Sequence, residues 1–328
     1  MLAKASVIQS SITFSKNANG RLVGEHVNGI VAFDSQQVPT AFTYLRSTFI
    51  YGNLAGSALN FQDFFPADWS GDGLTDLIVR NTNGSLFYYQ TKTVDGRPQF
   101  TGGSHVGNGF QFANYFVGDF TGDGIPDLIG RAGDGTLRLY PFNTTFIGQG
   151  GGQIIRNNFN YTDFFVADWS GDGITDLIVR NTSGSLFYFI FDRFQRRFTG
   201  GSNVGNRFFF TNYFIGDFNG DNIPDLLGRI SSGDLLVYPF NTTFIGQGGG
   251  RRVGISFNFT DYFLGDWYNN DGITDLIVRN SAGDLILYPY FNNVFNPGSS
   301  RISTGPFGSG YLFNYNRFIA GRFGTWPS

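Results

Sequence analysis

Aspartate-rich segments recur five times in this 328-residue chain, with the oxygen spacing of a cation-binding loop. In the first segment, Asp68, Ser70, Asp72 and Asp76 alternate with other residues, so a tight turn can direct their oxygens and a backbone carbonyl towards one point. Gly73 permits the bend. Hard oxygen ligands of this kind suit Ca²⁺, as in the related EF-hand loop. We therefore expect Ca²⁺, or a comparable cation, as a structural ion in some of these loops.

The other four loops repeat the pattern with small changes. Their candidate metal ligands are Asp119, Thr121, Asp123, Asp127, Asp168, Ser170, Asp172, Asp176, Asp217, Asn219, Asp221, Asp225, Asp271 and Asp275. Because Ser, Thr or Asn holds the second position, each loop has three carboxylates and a modest expected affinity. The fifth loop carries one extra residue, which is expected to shift Asp266 out of register. The alternative is that the Asp side chains only cap the turns, by accepting hydrogen bonds from backbone N–H groups.

The spacing of the loops indicates the larger elements that must position them. The first aspartates of the loops lie 51, 49, 49 and 49 residues apart, and a repeat of this length is typical of propellers and solenoids. The units also alternate in sequence. The loops at Asp68 and Asp168 share Asp-Trp-Ser-Gly-Asp-Gly, whereas those at Asp119 and Asp217 share Gly-Asp-Phe and Ile-Pro-Asp-Leu. We call the first kind A units and the second kind B units.

Each unit contains the signals of four β-strands. In the first unit, residues 76–80 form an apolar strand, 81–84 a turn and 85–90 an aromatic-rich strand, which together predict a β-hairpin. Gly84 occupies a turn position where positive φ is expected. A third strand is expected near Phe100, and an aromatic fourth strand precedes the next Asp loop. Four strands per unit predict an all-β protein whose units are propeller blades.

The two ends of the chain predict a closed ring. Residues 11–22 match the hairpin without an Asp loop before them, and residues 317–323 match the strand before the loop without a hairpin after them. Joining these halves completes a sixth blade and removes two exposed sheet edges. We predict one β-propeller domain over residues 1–328, with about six four-stranded blades and seven as the alternative. The blades are expected to start near residues 68, 119, 168, 217 and 266, with the last shared between residues 317–328 and the N-terminal region.

Aromatic residues make up 18% of the chain, and pairs of them recur at one position of every unit. The pairs are Phe64-Phe65, Tyr115-Phe116, Phe164-Phe165, Tyr213-Phe214 and Tyr262-Phe263. Phe and Tyr bury large areas, so these pairs are expected to form the core between neighbouring blades, in preference to a surface for ligand stacking.

Composition excludes several classes of function. Charged residues are only 14% of the chain and the net charge is −3, so there is no basic stripe for nucleic acid. The absence of cysteine excludes disulfides and thiolate metal sites. Neither a signal peptide nor an 18-residue apolar run is visible, which predicts a soluble protein without a membrane span. A cytoplasmic location and release by a non-classical route both remain open, as does the oligomeric state.

No catalytic constellation is visible either. His26 and His105 are the only histidines, and neither a repeated Ser/His/Asp set nor a phosphate-binding glycine loop is present. We therefore expect that the protein is not an enzyme.

Polar, glycine-rich segments outside the scaffold are the better candidates for a binding site. Residues 101–108 are nearly repeated at 199–206, and residues 145–152 at 243–250. As surface loops between blades they would combine backbone amides, Asn or Gln side chains and nearby rings, which suits a neutral sugar. The candidate sugar-binding residues are Asn108, Phe110, Gln149, Gly150, Tyr161, Asn206, Phe208, Gln247, Gly248 and Phe259. The alternative is that the glycines form bulges or tight connections.

The Asp loop and the hairpin after it resemble the FG-GAP/VCBS repeats of integrin-like β-propellers, and the spacing is similar to that of fungal and bacterial propeller lectins built from them. Where the family has FG and GAP, this chain has Phe-Val-Gly-Asp or Phe-Pro-Ala-Asp. The resemblance implies a multivalent lectin whose partners are glycans or glycoproteins bound between blades, with Ca²⁺ as a structural ion. Weak sites on one rigid disc would gain avidity. A protein-interaction or adhesion propeller is the alternative, and a polysaccharide-cleaving enzyme is a third.

Overall fold

The computed structural model describes most of the chain as β-sheet. The described residues are 15–16, 22–23, 29–33, 36–37, 39–45, 48–50, 56, 59–94, 97–142, 152–241, 249–269, 271–296, 300–302 and 317–321. They form six antiparallel four-stranded sheets, two small ribbons and no helix. Within these residues, therefore, no helix has the length and apolarity needed to cross a membrane.

Each four-stranded sheet is one blade, and the blades are numbered around the ring. A ribbon of β1 (Ser15–Lys16) and β2 (Leu22–Val23) precedes β3 (Gly29–Phe33), β4 (Pro39–Leu45) and β5 (Thr48–Ile50), which belong to blade 6. Blade 1 consists of β6 (Asp63–Ala67), β7 (Asp76–Arg80), β8 (Leu86–Val94) and β9 (Arg97–Gly107). Blade 2 consists of β10 (Asn114–Gly118), β11 (Asp127–Arg131), β12 (Leu137–Tyr140) and β13 (Gln153–Arg156).

The remaining blades follow the same order of strands. Blade 3 consists of β14 (Asp163–Ala167), β15 (Asp176–Arg180), β16 (Leu186–Asp192) and β17 (Arg197–Gly205). Blade 4 consists of β18 (Asn212–Gly216), β19 (Asp225–Arg229), β20 (Leu235–Tyr238) and β21 (Arg251–Gly254). Blade 5 consists of β22 (Asp261–Gly265), β23 (Asp275–Arg279), β24 (Leu285–Tyr288) and β27 (Ser300–Ile302), and a ribbon of β25 (Tyr290–Phe291) and β26 (Val294–Phe295) lies between the last two. Finally, β28 (Arg317–Gly321) joins blade 6.

Blade 6 closes the ring by joining the two ends of the chain. β28 pairs antiparallel with β3, from Arg317 opposite Phe33 to Gly321 opposite Gly29. It also lies against β22 of blade 5 and β6 of blade 1. The predicted six-bladed ring is thus confirmed. The N-terminal partner of β28 differs from the prediction. Residues 29–33 pair with β28, whereas Ser15–Lys16 of the predicted segment pair with Leu22–Val23 in a separate ribbon.

The Asp loops lie inside the blades and do not mark their starts. β6, which precedes the loop at Asp68, pairs with β7, which follows it, and the other four loops behave in the same way. The Asp loop joins two antiparallel neighbours of one sheet, whereas the segment after the fourth strand connects to the next blade. The blades therefore start at residues 63, 114, 163, 212 and 261, one strand earlier than the sequence pattern indicated.

Paired aromatic residues form the core between blades, as predicted. The second ring of one blade contacts the first ring of the next blade, with centroid distances of 4.9 to 5.1 Å. The contacts are Phe65–Tyr115, Phe116–Phe164, Phe165–Tyr213 and Phe214–Tyr262. Because the same contact recurs at these four interfaces, the sequence repeat becomes a repeated packing unit.

The hairpin turns and the glycine-rich tracts behave differently from one another. The turn glycines adopt positive φ as expected, with 83° at Gly84. The tracts within residues 101–107 and 199–205, in contrast, lie in the outer strands β9 and β17 and are not loops. Gly102 and Gly103 have φ values of 104° and 92°, beside a register shift in the pairing of β8 with β9. These glycines therefore form β-bulges, which was the alternative interpretation.

Candidate functional site

The first aspartate of each Asp loop caps its turn. Asp168 accepts hydrogen bonds from the N–H groups of Asp172 at 3.0 Å and Gly173 at 2.7 Å. The first aspartates of three other loops, Asp68, Asp119 and Asp217, also accept a hydrogen bond from the N–H of the residue five positions later. The exposed aspartates at the third position each accept an N–H two residues further on; they are Asp72, Asp123, Asp172, Asp221 and Asp271. These carboxylates act as the capping alternative predicts.

The last aspartate of each loop is buried and fixes the loop to its blade. Asp176 accepts hydrogen bonds from the N–H of Ser170 at 3.0 Å, the O–H of Tyr188 at 3.0 Å and the N–H of Phe191 at 2.9 Å. Burial disfavours its charged form and raises its pKa to about 7. The same cause raises the pKa values of the equivalent aspartates, which are Asp76 at about 6, Asp127 at about 7, Asp225 at about 8 and Asp275 at about 7.

Neighbouring Asp loops also contact one another around the ring. The N–H of Thr175 in blade 3 donates a hydrogen bond to the carbonyl of Asp119 in blade 2 at 2.7 Å. A Cβ added to Gly122 would lie 2.5 Å from Cδ1 of Ile174, so only glycine allows this close approach. The loops of blades 1 and 2, and of blades 3 and 4, make the corresponding glycine–isoleucine contact. The Asp loops therefore join adjacent blades in addition to forming turns.

The extra residue of the fifth loop does not displace Asp266. Its Oδ2 accepts the N–H of Gly272 at 2.9 Å, which corresponds to the bond between Asp168 and Gly173. Asn269 adopts a φ of 63°, a conformation that Asn tolerates better than most residues. The loop thus absorbs the insertion locally, and the expected shift of Asp266 out of register is wrong.

The loops fit a cation only in part. In the second loop the Oγ1 of Thr121 is buried without a hydrogen-bond partner. Burial, and then the charges of Asp119 and Asp123, raise the pKa of Asp127, so a cation there would relieve repulsion. Among the residues that the structure describes, however, no three Asp, Glu or His side chains are grouped closely enough to hold a metal ion. Binding would require the loop carboxylates to draw together.

The predicted sugar-binding residues that the structure describes lie in different surroundings. Phe110 and Phe208 are 2% and 3% exposed and belong to the cores of the blades, so their rings offer no face to a ligand. Asn108 and Asn206 are exposed on the surface. Phe259 is half-buried against Phe257 and Tyr288. Gln149, Gly150, Gln247 and Gly248 lie outside the described residues, as does His26.

A groove opens between the outer strands of blades 2 and 3. Ile155 and Arg156 of β13 line it together with Arg197, Phe198 and Thr199 of β17, around a volume of about 370 Å³. We call this cavity the blade 2–3 groove. No carboxylate lines it, and one residue of each strand contributes a guanidinium group.

Arg156 connects the groove to a predicted site residue. Its guanidinium group donates a hydrogen bond to the carbonyl of Phe198 at 2.6 Å and lies 4.7 Å from the ring centroid of Phe189. The ring of Tyr161 packs against the same aromatic cluster, with its centroid 6.0 Å from that of Phe189 and 4.9 Å from that of Phe159. Tyr161 therefore lies in the aromatic cluster that Arg156 contacts, but it does not line the groove.

Comparisons with known proteins agree with this architecture. The FG-GAP-like repeat family matches residues 68–130 and 119–179. The structure is similar to the crystal structure of AofleA from Arthrobotrys oligospora, with a TM-score of 0.52 and 11% identity over 98% of this chain and 99% of that one. The chain is a β-propeller, and its residues 68–179 match FG-GAP-like repeats.

Two further solved structures also match this chain. A mutant of AofleA with three arginines replaced by alanine has a TM-score of 0.53 and 10% identity to the propeller, over 97% of this chain and 99% of that one. The structure of the Dos1 propeller has a TM-score of 0.38 and 12% identity, over 91% and 76%. No curated protein matches the sequence.

The buried aspartates predict how the stability of the propeller depends on pH. Their folded-state pKa values of about 6 to about 8 lie above the ordinary value of 3.8, so the folded state holds protons that the unfolded state releases. With a chelator present, the melting temperature should therefore rise as pH falls from about 8 to about 5. The change should be smaller in Asp176→Asn, which is neutral throughout. A melting temperature that falls steadily over this range would contradict the prediction.

Proposed function

We propose that this propeller is a multivalent carbohydrate-binding protein that binds glycans in grooves between blades and has no catalytic activity. The observation that carries the proposal is the blade 2–3 groove. A sugar needs hydrogen-bond donors and acceptors for its hydroxyl groups and an apolar surface for its ring. The groove supplies the guanidinium groups of Arg156 and Arg197, the hydroxyl of Thr199 and the apolar side chains of Ile155 and Phe198.

The size and position of the groove support the same proposal. Its volume of about 370 Å³ lies at the lower end of the range of about 300–1,000 Å³ for small-molecule sites. It lies between β13 and β17, the fourth strands of two adjacent blades, and β21 of blade 4 likewise contacts β26 of the ribbon beside blade 5. Weak sites repeated on one rigid ring would bind a multivalent glycoprotein with high avidity.

Glycan binding should depend on the exposed side chains of the groove. Arg197→Ala should weaken binding of the best ligand from a glycan array by about tenfold or more, because hydrogen bonds from a charged group contribute more than neutral ones. Arg196→Ala is the matched control, since Arg196 is the adjacent exposed arginine but does not line the groove. Affinities measured by calorimetry would reveal the difference. The proposal fails if no glycan on the array binds, or if both variants bind like the parent.

We also propose Ca²⁺ as a structural ion, which Asp119, Thr121, Asp123 and Asp127 would hold in the second loop. The ion would neutralise carboxylates that repel one another and would satisfy the buried Oγ1 of Thr121. A ligand that prefers the folded state must stabilise it, by about 2.7 kcal/mol at a concentration of 100 Kd.

Millimolar Ca²⁺ should therefore raise the melting temperature by several degrees, and a chelator should reverse the effect. In Asp123→Asn the shift should be smaller, because an exposed carboxylate of that loop is lost. A melting temperature that does not respond to Ca²⁺ in the parent would exclude the ion. If glycan binding persists with the chelator, the role of the ion is structural only.

A further inference from the structure

Blades 1 to 5 each carry an arginine at the end of the second strand. These arginines are Arg80, Arg131, Arg180, Arg229 and Arg279. In the first three blades the guanidinium carbon lies 5.3 to 5.5 Å from the centroid of an aromatic ring of the next blade. These three arginines therefore lie at interfaces between blades, where a cation is partly shielded from water, and Arg229 bonds to the segment that joins blades 4 and 5.

In blades 1, 3 and 5 an aspartate of the same blade neutralises this arginine. The ion pairs are Arg80–Asp63, Arg180–Asp163 and Arg279–Asp261. In each pair the aspartate is the first residue of the first strand, directly opposite the arginine in the antiparallel register. The charge of the guanidinium group is thus balanced inside the blade.

Blades 2 and 4 have asparagine at the position of that aspartate. Arg131 donates hydrogen bonds to Asn114 Oδ1 at 3.0 Å, the carbonyl of Phe159 at 2.7 Å and Asn160 Oδ1 at 3.0 Å. Arg229 of blade 4 makes the equivalent bonds to Asn212, Phe257 and Asn258. All six acceptors are neutral, and neither arginine forms an ion pair within the described part of the chain.

A second arginine reaches across the same two interfaces. Arg156, on the fourth strand of blade 2, bonds to the carbonyl of Phe198 in blade 3. Arg251, on the fourth strand of blade 4, donates a hydrogen bond to the hydroxyl of Tyr290, which follows β24 of blade 5, at 2.8 Å. Neither has a carboxylate partner among the residues with described positions. The interfaces between blades 2 and 3 and between blades 4 and 5 therefore each hold two guanidinium groups without a balancing charge.

We propose that these two interfaces bind anionic saccharides, whose carboxylate or sulfate groups pair with the free guanidinium donors. This inference rests on the proposed glycan-binding function and specifies its ligand. A guanidinium group has five N–H donors, of which Arg131 uses three on neutral acceptors. Its planar fork matches a carboxylate or sulfate group, and partial shielding from water strengthens the attraction. In blades 1, 3 and 5 the protein's own aspartate already occupies this position.

Exchanging asparagine for aspartate at the two positions tests the proposal directly. Calorimetry of the parent protein should show two sites for an oligogalacturonate or a sulfated oligosaccharide, with a neutral oligosaccharide of equal length binding about tenfold more weakly or worse. The double variant Asn114→Asp, Asn212→Asp copies the natural ion pairs of blades 1, 3 and 5. It should lose about tenfold or more of its affinity for the acidic ligands and keep the parent's melting temperature.

The reverse exchange is the matched control. Asp163→Asn converts blade 3 to the arrangement of blades 2 and 4 and should not weaken binding of the acidic ligands. Equal losses in both variants, unchanged binding in the double variant, or equal affinity of the parent for neutral and acidic ligands would each overturn the inference. If the parent binds neutral and acidic ligands equally well, this inference fails but the proposed glycan-binding function still stands. Failure to bind any saccharide would overturn both proposals.

Discussion

Ending the chain at residue 316 should abolish the closed monomer. The truncation removes β28, which supplies the first strand of blade 6 and contacts blades 1 and 5. β3 would become an open edge, and its residues Ile30 to Phe33, which are fully buried in the intact ring, would be exposed to other molecules. Exposed apolar edges pair with other chains. We expect oligomers or aggregates in sedimentation experiments, or a monomer whose melting temperature falls by more than about 10 °C.

A chain that ends at Gly321 provides the control for this truncation. It keeps all of β28 and should sediment and melt like the parent protein. If the protein ending at residue 316 also remains a monomer with the parent's melting temperature, the ring does not depend on this strand.

Trp169→Ala should strongly lower the free energy of unfolding of the propeller. Trp169 is fully buried, its Nε1–H donates a hydrogen bond to the carbonyl of Phe165 at 2.9 Å, and its ring contacts Phe240 of blade 4 edge to face at 5.3 Å. Truncation of such a residue leaves a cavity between two blades and costs about 3–5 kcal/mol. For a domain of this size the melting temperature should fall by roughly 4–8 °C.

Trp169→Phe separates the effect of the cavity from that of the indole group. Blades 2 and 4 carry Phe120 and Phe218 at this position, both at most 1% exposed. Phenylalanine therefore fits the site in this fold, and Trp169→Phe should destabilise the protein much less than Trp169→Ala. Thermal unfolding of the two variants under one set of conditions tests this order. Equal melting temperatures would show that the blades close around the missing side chain.

Repetition in the sequence was sufficient to predict the ring, its six blades and the aromatic contacts between them. The nearly identical segments at Asp68 and Asp168 establish the repeat, and the recurring pairs such as Phe164-Phe165 indicate which residues face the neighbouring blades. The start of each blade could not be derived in this way, because a repeat has the same period wherever its boundary is placed. Only the pairing of β6 with β7 shows that the Asp loop lies between the first and second strands.

The residues of the candidate site were harder to predict than the fold. Phe110 is an aromatic residue next to a polar segment, and its sequence gives no sign that it is buried. The groove depends on β13 and β17 lying side by side although they are more than 40 residues apart, so Thr199 and Ile155 carried no signal. The difference between Asn114 and Asp163 is visible in the sequence. Its meaning became clear only when the structure placed each opposite an arginine.

The order of synthesis gives the closing blade a particular place in folding. Three of its strands, β3 to β5, emerge from the ribosome before the strands of blade 1, whereas β28 is translated after those of blade 5. Blades 1 to 5 have all four of their strands before β28 exists. The strands β3 to β5 therefore lack their partner strand β28 until blades 1 to 5 have been synthesised. Until β28 has been translated, β3 is an open sheet edge, so we expect the nascent chain to be prone to pairing with other chains at this strand.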